Sequence, residues 1–136
     1  MPSFGTLKAD TLTHSTAGSL ATNYVVEGSK KMWCNFQGTG TAAIRDSFNT
    51  SSITDNGTGD YRFTFTNAMN NVNYSTDCSQ SALGSDYRFI ALLKGSSSAL
   101  TNYATTHFEV LANQVQNGYN GGDMVYVGVG VNGDLA

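Results

Sequence analysis

Charge is what this chain has least of. Only 12% of its 136 residues are Asp, Glu, Lys or Arg, about half the share of an ordinary globular domain. Its polar surface must come from Ser, Thr, Asn and Gly, which hydrate well but carry little field. The net charge is −3, and the longest basic run is the pair Lys30–Lys31. A partner recognised through a phosphate backbone needs a basic patch, so no nucleic acid is expected. Cysteine occurs twice, as Cys34 and Cys78. Two widely spaced thiols make no disulfide framework, and both are expected reduced and partly buried. No apolar run approaches the ~20 residues of a membrane-spanning helix. Met1-Pro2-Ser3-Phe4-Gly5 lacks the charged start and apolar run of a signal peptide. Membrane insertion is not expected, and synthesis in the cytoplasm is.

The residues of catalysis are also thin. His14 and His107 stand in no motif context, and no Gly-x-Ser-x-Gly elbow presents a serine on a strained turn. The two glutamates are Glu27 and Glu109. The aspartates Asp46, Asp55, Asp60, Asp77, Asp86 and Asp123 fall mostly in or beside turns, where Asp caps its own backbone. Nothing selects a carboxylate pair for glycan cleavage. Asp55-Asn56-Gly57-Thr58-Gly59-Asp60 lacks the ligand spacing and distal Glu of a calcium loop, and two Cys with two His, none closely spaced, make no zinc site. No catalytic residue, no metal and no cofactor are therefore expected, and the chain is read as a non-enzyme.

What is present is strand after strand, in a chain whose hydrophobic share is 40%. Trp33 and Asn35 alternate with Met32, Cys34 and Phe36 as the two faces of one strand. Gly38-Thr39-Gly40-Thr41 turns the chain, and Ala42 to Phe48 follows as a second strand. Tyr61, Phe63 and Phe65 alternate with polar residues after the Asp55–Asp60 turn, so a hairpin with Asn56-Gly57 at its tip is expected. Further strands are expected at Asn73–Cys78, Tyr87–Lys94, Thr106–Ala112 and Met124–Asn132, with loops at Ser96–Ser98 and Asn117–Gly122. The expected fold class is all-β, an antiparallel β-sandwich or jelly-roll-like domain. Residues 1–30 are expected to form an N-terminal arm or first strand, and residues 31–136 a single β-sandwich domain.

Some faces look too apolar for a lone sandwich. Met32–Phe36 carries large groups on both sides, and so does Tyr87–Leu93. In the last strand Val125, Val127, Val129 and Val131 line one face, while Tyr126, Gly128, Gly130 and Asn132 line the other. Glycines at alternate positions suit close approach by another chain. Self-association would cover a second apolar face; burial of a central strand within one monomer would do so as well. Gly128, Gly130 and Tyr126 are the expected interface residues. Strand aromatics such as Trp33 and Phe48 are expected in core or interface. Tyr119, Asn117, Asn120 and Tyr103, in expected loops, are the candidate ligand contacts, because an exposed Tyr beside Asn offers a ring and hydrogen bonds to a sugar or peptide.

The stretch Trp33–Phe36, Gly38-Thr39-Gly40-Thr41, Ile44-Arg45-Asp46-Ser47-Phe48-Asn49 and Ser52-Ile53-Thr54-Asp55-Asn56-Gly57-Thr58-Gly59-Asp60-Tyr61 resembles a module of bacteriophage tail fibres and related virion proteins, of the marine phage, cyanophage and prophage type. The likeness is specific over about residues 31–66, extends to Gly5-Thr6-Leu7-Lys8-Ala9-Asp10, and becomes loose after Asn67. Cys34 stands where that pattern has a branched apolar residue, and Gln37 where it has Asn. The resemblance implies a virion component, assembled in the host cytoplasm as a homotrimer with other virion proteins, and no catalytic residues. Arg45 and Asp46 are implied to pair with neighbouring strands or protomers. Two forms fit a chain of this length, an excised fibre tip or a small independent virion protein. The expected function is a tail-fibre-like module for assembly and binding of a host-surface glycan or protein. The alternative is a capsid decoration or cement protein with no host-binding role, and a polysaccharide-degrading enzyme ranks last.

Overall fold

Side-chain alternation decides which way each strand faces, and in this chain it builds two antiparallel sheets around one core. The computed structural model describes residues 9–16, 18–81, 88–92, 102–114 and 120–136. In chain order the elements are β1 (Thr11–His14), β2 (Gly18–Ala21), α1 (Thr22–Gly28), β3 (Lys30–Gln37), β4 (Ala43–Phe48), β5 (Thr50–Gly57), β6 (Asp60–Phe65), β7 (Ser75–Gln80), β8 (Arg88–Leu92), β9 (His107–Gln114), β10 (Asn120–Gly121) and β11 (Val127–Asn132). One sheet has the order β4-β3-β11-β7. The other runs β5-β6-β9, with β10 continuing the β6 edge of β9 and β8 on the opposite edge. The chain is an all-β antiparallel sandwich, preceded by a β1–β2 hairpin and one short helix.

Met32, Cys34 and Phe36 of β3 and Val127, Val129 and Val131 of β11 point inward from the four-stranded sheet. Tyr61, Phe63 and Phe65 of β6 and Phe108, Val110 and Ala112 of β9 answer from the other. Phe36 is the bridge. Its ring meets Tyr61 edge-on at 4.9 Å and Phe63 at 5.1 Å, and Phe63 stacks on Phe108 at 5.2 Å. Burying each such ring contributes about 1.5–3 kcal/mol, and each aromatic pair adds about 0.5–1.5 kcal/mol. On the outer side of the second sheet, Arg62 and Glu109 face each other in register. Arg62 Nε donates to the buried Glu109 carboxylate at 2.7 Å, so the charge buried on that outer side is paired.

Four register shifts interrupt the ladders among the described residues, one of them at Ser51, the extra residue between Thr50 and Ser52 of β5. Arg45 is an extra residue between Asp46, opposite Asn35, and Ile44, opposite Phe36. The bulge lets Ile44 return to the core while the Arg45 guanidinium donates to the Phe36 carbonyl at 2.9 Å. Lys31 is extra in β3; it is buried, and its ammonium donates to the Val26 carbonyl of α1 and to Ser29 Oγ. In the β5–β6 hairpin the expected Asn56-Gly57 tip is displaced. The two-residue turn is Thr58–Gly59, and Asn56 is the bulged residue. Asp55 Oδ1 accepts from the Gly57 N–H at 3.0 Å, and Gly57 and Gly59 hold φ of 140° and 72°. The shift keeps Asp55 opposite Tyr61, and Tyr61 in the core.

The passage from β4 in one sheet to β5 in the other turns on Asn49, a non-glycine residue at φ 55°. Its amide nitrogen donates to the carbonyls of Lys31 at 3.0 Å and Asn67 at 3.1 Å, and its oxygen accepts from the Asn67 N–H at 2.7 Å. Asn tolerates the left-handed region better than most residues, and here its side chain ties three segments together. The opposite end of the sandwich has its own clasp. Asp123 Oδ1 accepts from the Gly59 N–H at 2.8 Å and from the Tyr61 hydroxyl at 2.6 Å, and Gly38 N–H donates to the Met124 carbonyl at 2.8 Å. A Cβ on Gly38 would overlap the Tyr61 hydroxyl.

The described residues before β3 form three elements, β1, β2 and α1. In β1–β2, Leu12 pairs with Leu20, and both are exposed. Helix α1 buries no residue, and Tyr24, Val25 and Val26 are exposed on it. It has no side-chain N-cap and no acidic residue in its first turn; the Thr22 N–H donates instead to the Asp10 carbonyl at 2.9 Å.

Candidate functional site

Two rows of side chains run straight across the outer face of the four-stranded sheet. Register places Phe48, Trp33, Gly130 and Asp77 in one row, and Asp46, Asn35, Gly128 and Ser79 in the next. The face therefore divides along its length. On the β4–β3 side stands an aromatic ridge, with Trp33 37% exposed and Phe48 51% exposed. On β11 Gly128 lines a furrow of about 260 Å³, walled by Trp33 and Asn35 on one side and by Asp77 and Ser79 on the other, while Gly130 is buried beneath the Lys30–Asp77 pair. Tyr126, 56% exposed, lines an adjoining hollow with Asn35, Ser79 and Gly128, and the Arg45 guanidinium lies 4.1 Å above its ring, a cation–π contact.

Neither glycine has room for a side chain. A Cβ on Gly130 would stand 2.9 Å from both Asp77 carboxylate oxygens and would overlap the Lys30 ammonium; one on Gly128 would stand 2.7 Å from Ser79 Oγ. Lys30 Nζ donates to the two Asp77 oxygens at 2.7 and 2.5 Å, and this exposed pair lies across Gly130. Beneath the furrow Cys34 and Cys78 flank Val129 in register. Two strand spacings, roughly 9–10 Å, separate them, beyond the reach of a disulfide, and both are free. Burial pushes both thiols up to about 12, assisted by Asp46 at Cys34 and by Asp77 at Cys78.

The three expected interface residues, Gly128, Gly130 and Tyr126, thus share one face. The ridge beside them was legible as core or interface but not as a partner of the glycines. Lys30, Asp77 and Ser79 gave no sequence signal, because only cross-strand register brings them to β11. Of the four ligand candidates, Tyr103 and Asn120 are among the described residues. Tyr103 is half-buried, stacked on Tyr74 at 4.2 Å, with its hydroxyl donating to the Tyr74 carbonyl at 3.0 Å; it is packed, not displayed. Asn120 pairs through its backbone with Gln114 at the other end of the sandwich. Asn117 and Tyr119, like Ser96–Ser98, lie outside the described residues. His107 sits half-buried at a strand start, its Nδ1 3.1 Å from Thr106 Oγ1. Among the described residues no three His, Cys, Asp or Glu side chains could hold a metal ion, and no helix is long and apolar enough to cross a membrane. Comparison with protein families, with curated proteins and with solved structures returned no match.

Proposed function

We propose that the chain is a structural module of a bacteriophage virion, of tail-fibre type, that assembles as a homotrimer and contributes to binding a host-surface glycan or protein. One observation carries this reading. The sandwich fills its core from the inner faces of its sheets and still bears Trp33, Phe48 and Tyr126 on the outer face of the four-stranded sheet. Aromatic groups aligned on a face that the monomer does not need are the mark of an assembly surface. Low charge suits the same role, since a surface of Asn, Ser, Thr and Tyr addresses hydroxyl-rich partners. Multivalency would turn weak single contacts into useful avidity.

A second reading, capsid decoration without host binding, draws on a different feature. The β1–β2 hairpin and α1 expose Leu12, Leu20, Tyr24 and Val26 and hold no buried side chain among those described, as an element seated on another virion protein would. Light scattering on the eluting protein tests the first reading: a mass near three times 14.4 kDa is expected, and a monomer at every concentration would sink it. A glycan array then separates the two, with binding expected from a fibre module and none from a decoration protein. Release of reducing sugar from host polysaccharide would overturn the non-enzyme reading.

A further inference from the structure

The sequence holds four Asn-Gly pairs, Asn56-Gly57, Asn117-Gly118, Asn120-Gly121 and Asn132-Gly133. In such a pair the glycine has no Cβ to keep its nitrogen away from the Asn side-chain carbonyl carbon, and the two atoms are already joined through the chain, so ring closure needs no second molecule. We propose that Asn56 is a self-modification site, converted to aspartate and isoaspartate through a cyclic imide closed by the Gly57 nitrogen. The step is independent of how copies of the chain assemble.

Freedom of the backbone selects this pair. Closing the ring turns the Asn-Gly peptide about the Asn Cα–C bond, and opening it takes water. Asn56 is exposed, is the unpaired residue of a bulge, and lies on β5, at the end of its sheet's strand order. A bulged residue stands outside the ladder, so its peptide turns without breaking one. Asn132-Gly133 is held. Asn132 stands in register with Lys30 on one side and Ser75 on the other, and its side-chain oxygen is buried. A Cβ on Gly133 would stand 2.7 Å from Tyr74 Cβ. Asn120 and Gly121 both have ladder partners, Gln114 and Asn113. Asn117-Gly118 lies outside the described residues.

The hairpin also supplies a base. Asp55 Oδ1 accepts from the Gly57 N–H at 3.0 Å, within the reach that proton abstraction requires. Asn56 Nδ2 donates to Asp60 Oδ1 at 3.5 Å on the other side of the turn. In the step the Gly57 proton passes to Asp55, Gly57 N bonds to Asn56 Cγ, and Nδ2 takes up the proton from Asp55 and leaves as ammonia. Water opening the new N–Cγ bond leaves aspartate. Water opening the bond from Gly57 N to the Asn56 main-chain carbonyl carbon leaves isoaspartate. Ammonia is lost and water gained, and no oxidant or reductant enters. Isoaspartate lengthens the main chain where β5 already carries an extra residue, so pairing on either side can persist.

Peptide mapping by mass spectrometry, on folded wild-type protein sampled over weeks at neutral pH, tests the site. Conversion at Asn56 should lead that at Asn132 and Asn120 by about tenfold or more, because those two must first open a ladder. Conversion at Asn132 or Asn120 as early as at Asn56 overturns the proposal. In urea the ladders are gone and the three rates should come together. A lead that persists there would belong to the neighbouring residues and overturn the structural account. Asp55→Asn keeps an acceptor for the Gly57 N–H and removes the carboxylate. It should slow Asn56 by about tenfold, less than an enzyme's buried general base achieves, with Asn132 unchanged. An unaltered Asn56 rate in that variant would overturn the role of Asp55.

Discussion

The two regions of this molecule are made of similar residues and held by different means. In residues 30–136 apolar side chains on two sheets face one another, and among the described residues 15, most of them on those sheets, form one buried cluster. In residues 9–29, Leu12, Leu20, Tyr24, Val25 and Val26 are no less apolar, yet all five are exposed. The difference is the second layer. A two-stranded hairpin is marginal alone, and a seven-residue helix is below the length that holds itself. The sandwich stands on apolar burial; the N-terminal elements stand on a few backbone bonds and on the Lys31 ammonium reaching Val26.

That contrast breaks most visibly at Phe36. Phe36→Ala removes the ring that touches both Tyr61 and Phe63, and should lower unfolding stability by about 3–5 kcal/mol, read from urea curves. A loss under 1 kcal/mol would mean that the sheets do not depend on this bridge.

High pH should strike the sandwich next. Burial raises the hydroxyls of Tyr61, Tyr74 and Tyr103, with the Asp123 hydrogen bond adding to the rise at Tyr61 and Tyr103 adding to that at Tyr74. Burial lifts both thiols as well. Each group is neutral in the fold where the unfolded chain would ionise. The stability they confer is complete below the unfolded values of 9.0 for Cys and 10.0 for Tyr and is lost as pH climbs past them. Melting temperature should be level with respect to these groups from pH 7 to 8 and fall above about 10. A steady value to pH 11.5 would contradict their burial.

Tyr61→Phe sharpens the comparison within the sandwich. It keeps the ring and deletes the hydroxyl that donates to Asp123 at 2.6 Å. A cost of about 1.5–3 kcal/mol is expected for a hydrogen bond to a charged group, with faster amide exchange at Gly59, which shares the same carboxylate oxygen.

The smallest effect belongs to the N-terminal elements. Leu20→Ser with Val26→Ser should change global stability by less than about 0.5 kcal/mol, and amides of 11–28 should exchange well before those of β3, β6 and β9. Equal protection in both regions would erase the distinction.

Much of the sandwich could be read directly. Strand identity and facing at Met32–Phe36 and Tyr61–Phe65 follow from a period of two, and the strands at Ala43–Phe48, Ser75–Gln80, His107–Gln114 and Val127–Asn132 lie within a few residues of where alternation put them. The turn tip was misplaced because Asn56-Gly57 is the stronger local signal, while the actual tip is set by Asp123, which is 64 residues from Gly59. Helix α1 escaped notice for a similar reason. Its β-branched Val25 and Val26 and missing cap argue against a helix locally, and its anchors are the backbone at Asp10 and the side chain of Lys31. For the site, alternation showed that Gly128, Gly130 and Tyr126 share a face. Which side chains wall the furrow depends on strand order, and β11 lies between β3 and β7 from opposite ends of the chain's numbering.

The pairing of β3 with β11 has one more consequence. The strand that opens the sandwich and the strand that completes it are neighbours, with Lys30 opposite Asn132. The chain therefore comes in and goes out at the same end, beside the Asn49 junction, while Gly38, Gly59 and Asp123 gather at the far end. A domain whose two connections lie side by side can be spliced into a surface loop of another protein without prying that protein open. By the same layout, tension on the two connections would peel β3 from β11 one hydrogen bond at a time, so the module is suited to being carried by one connection and poorly suited to transmitting a pull.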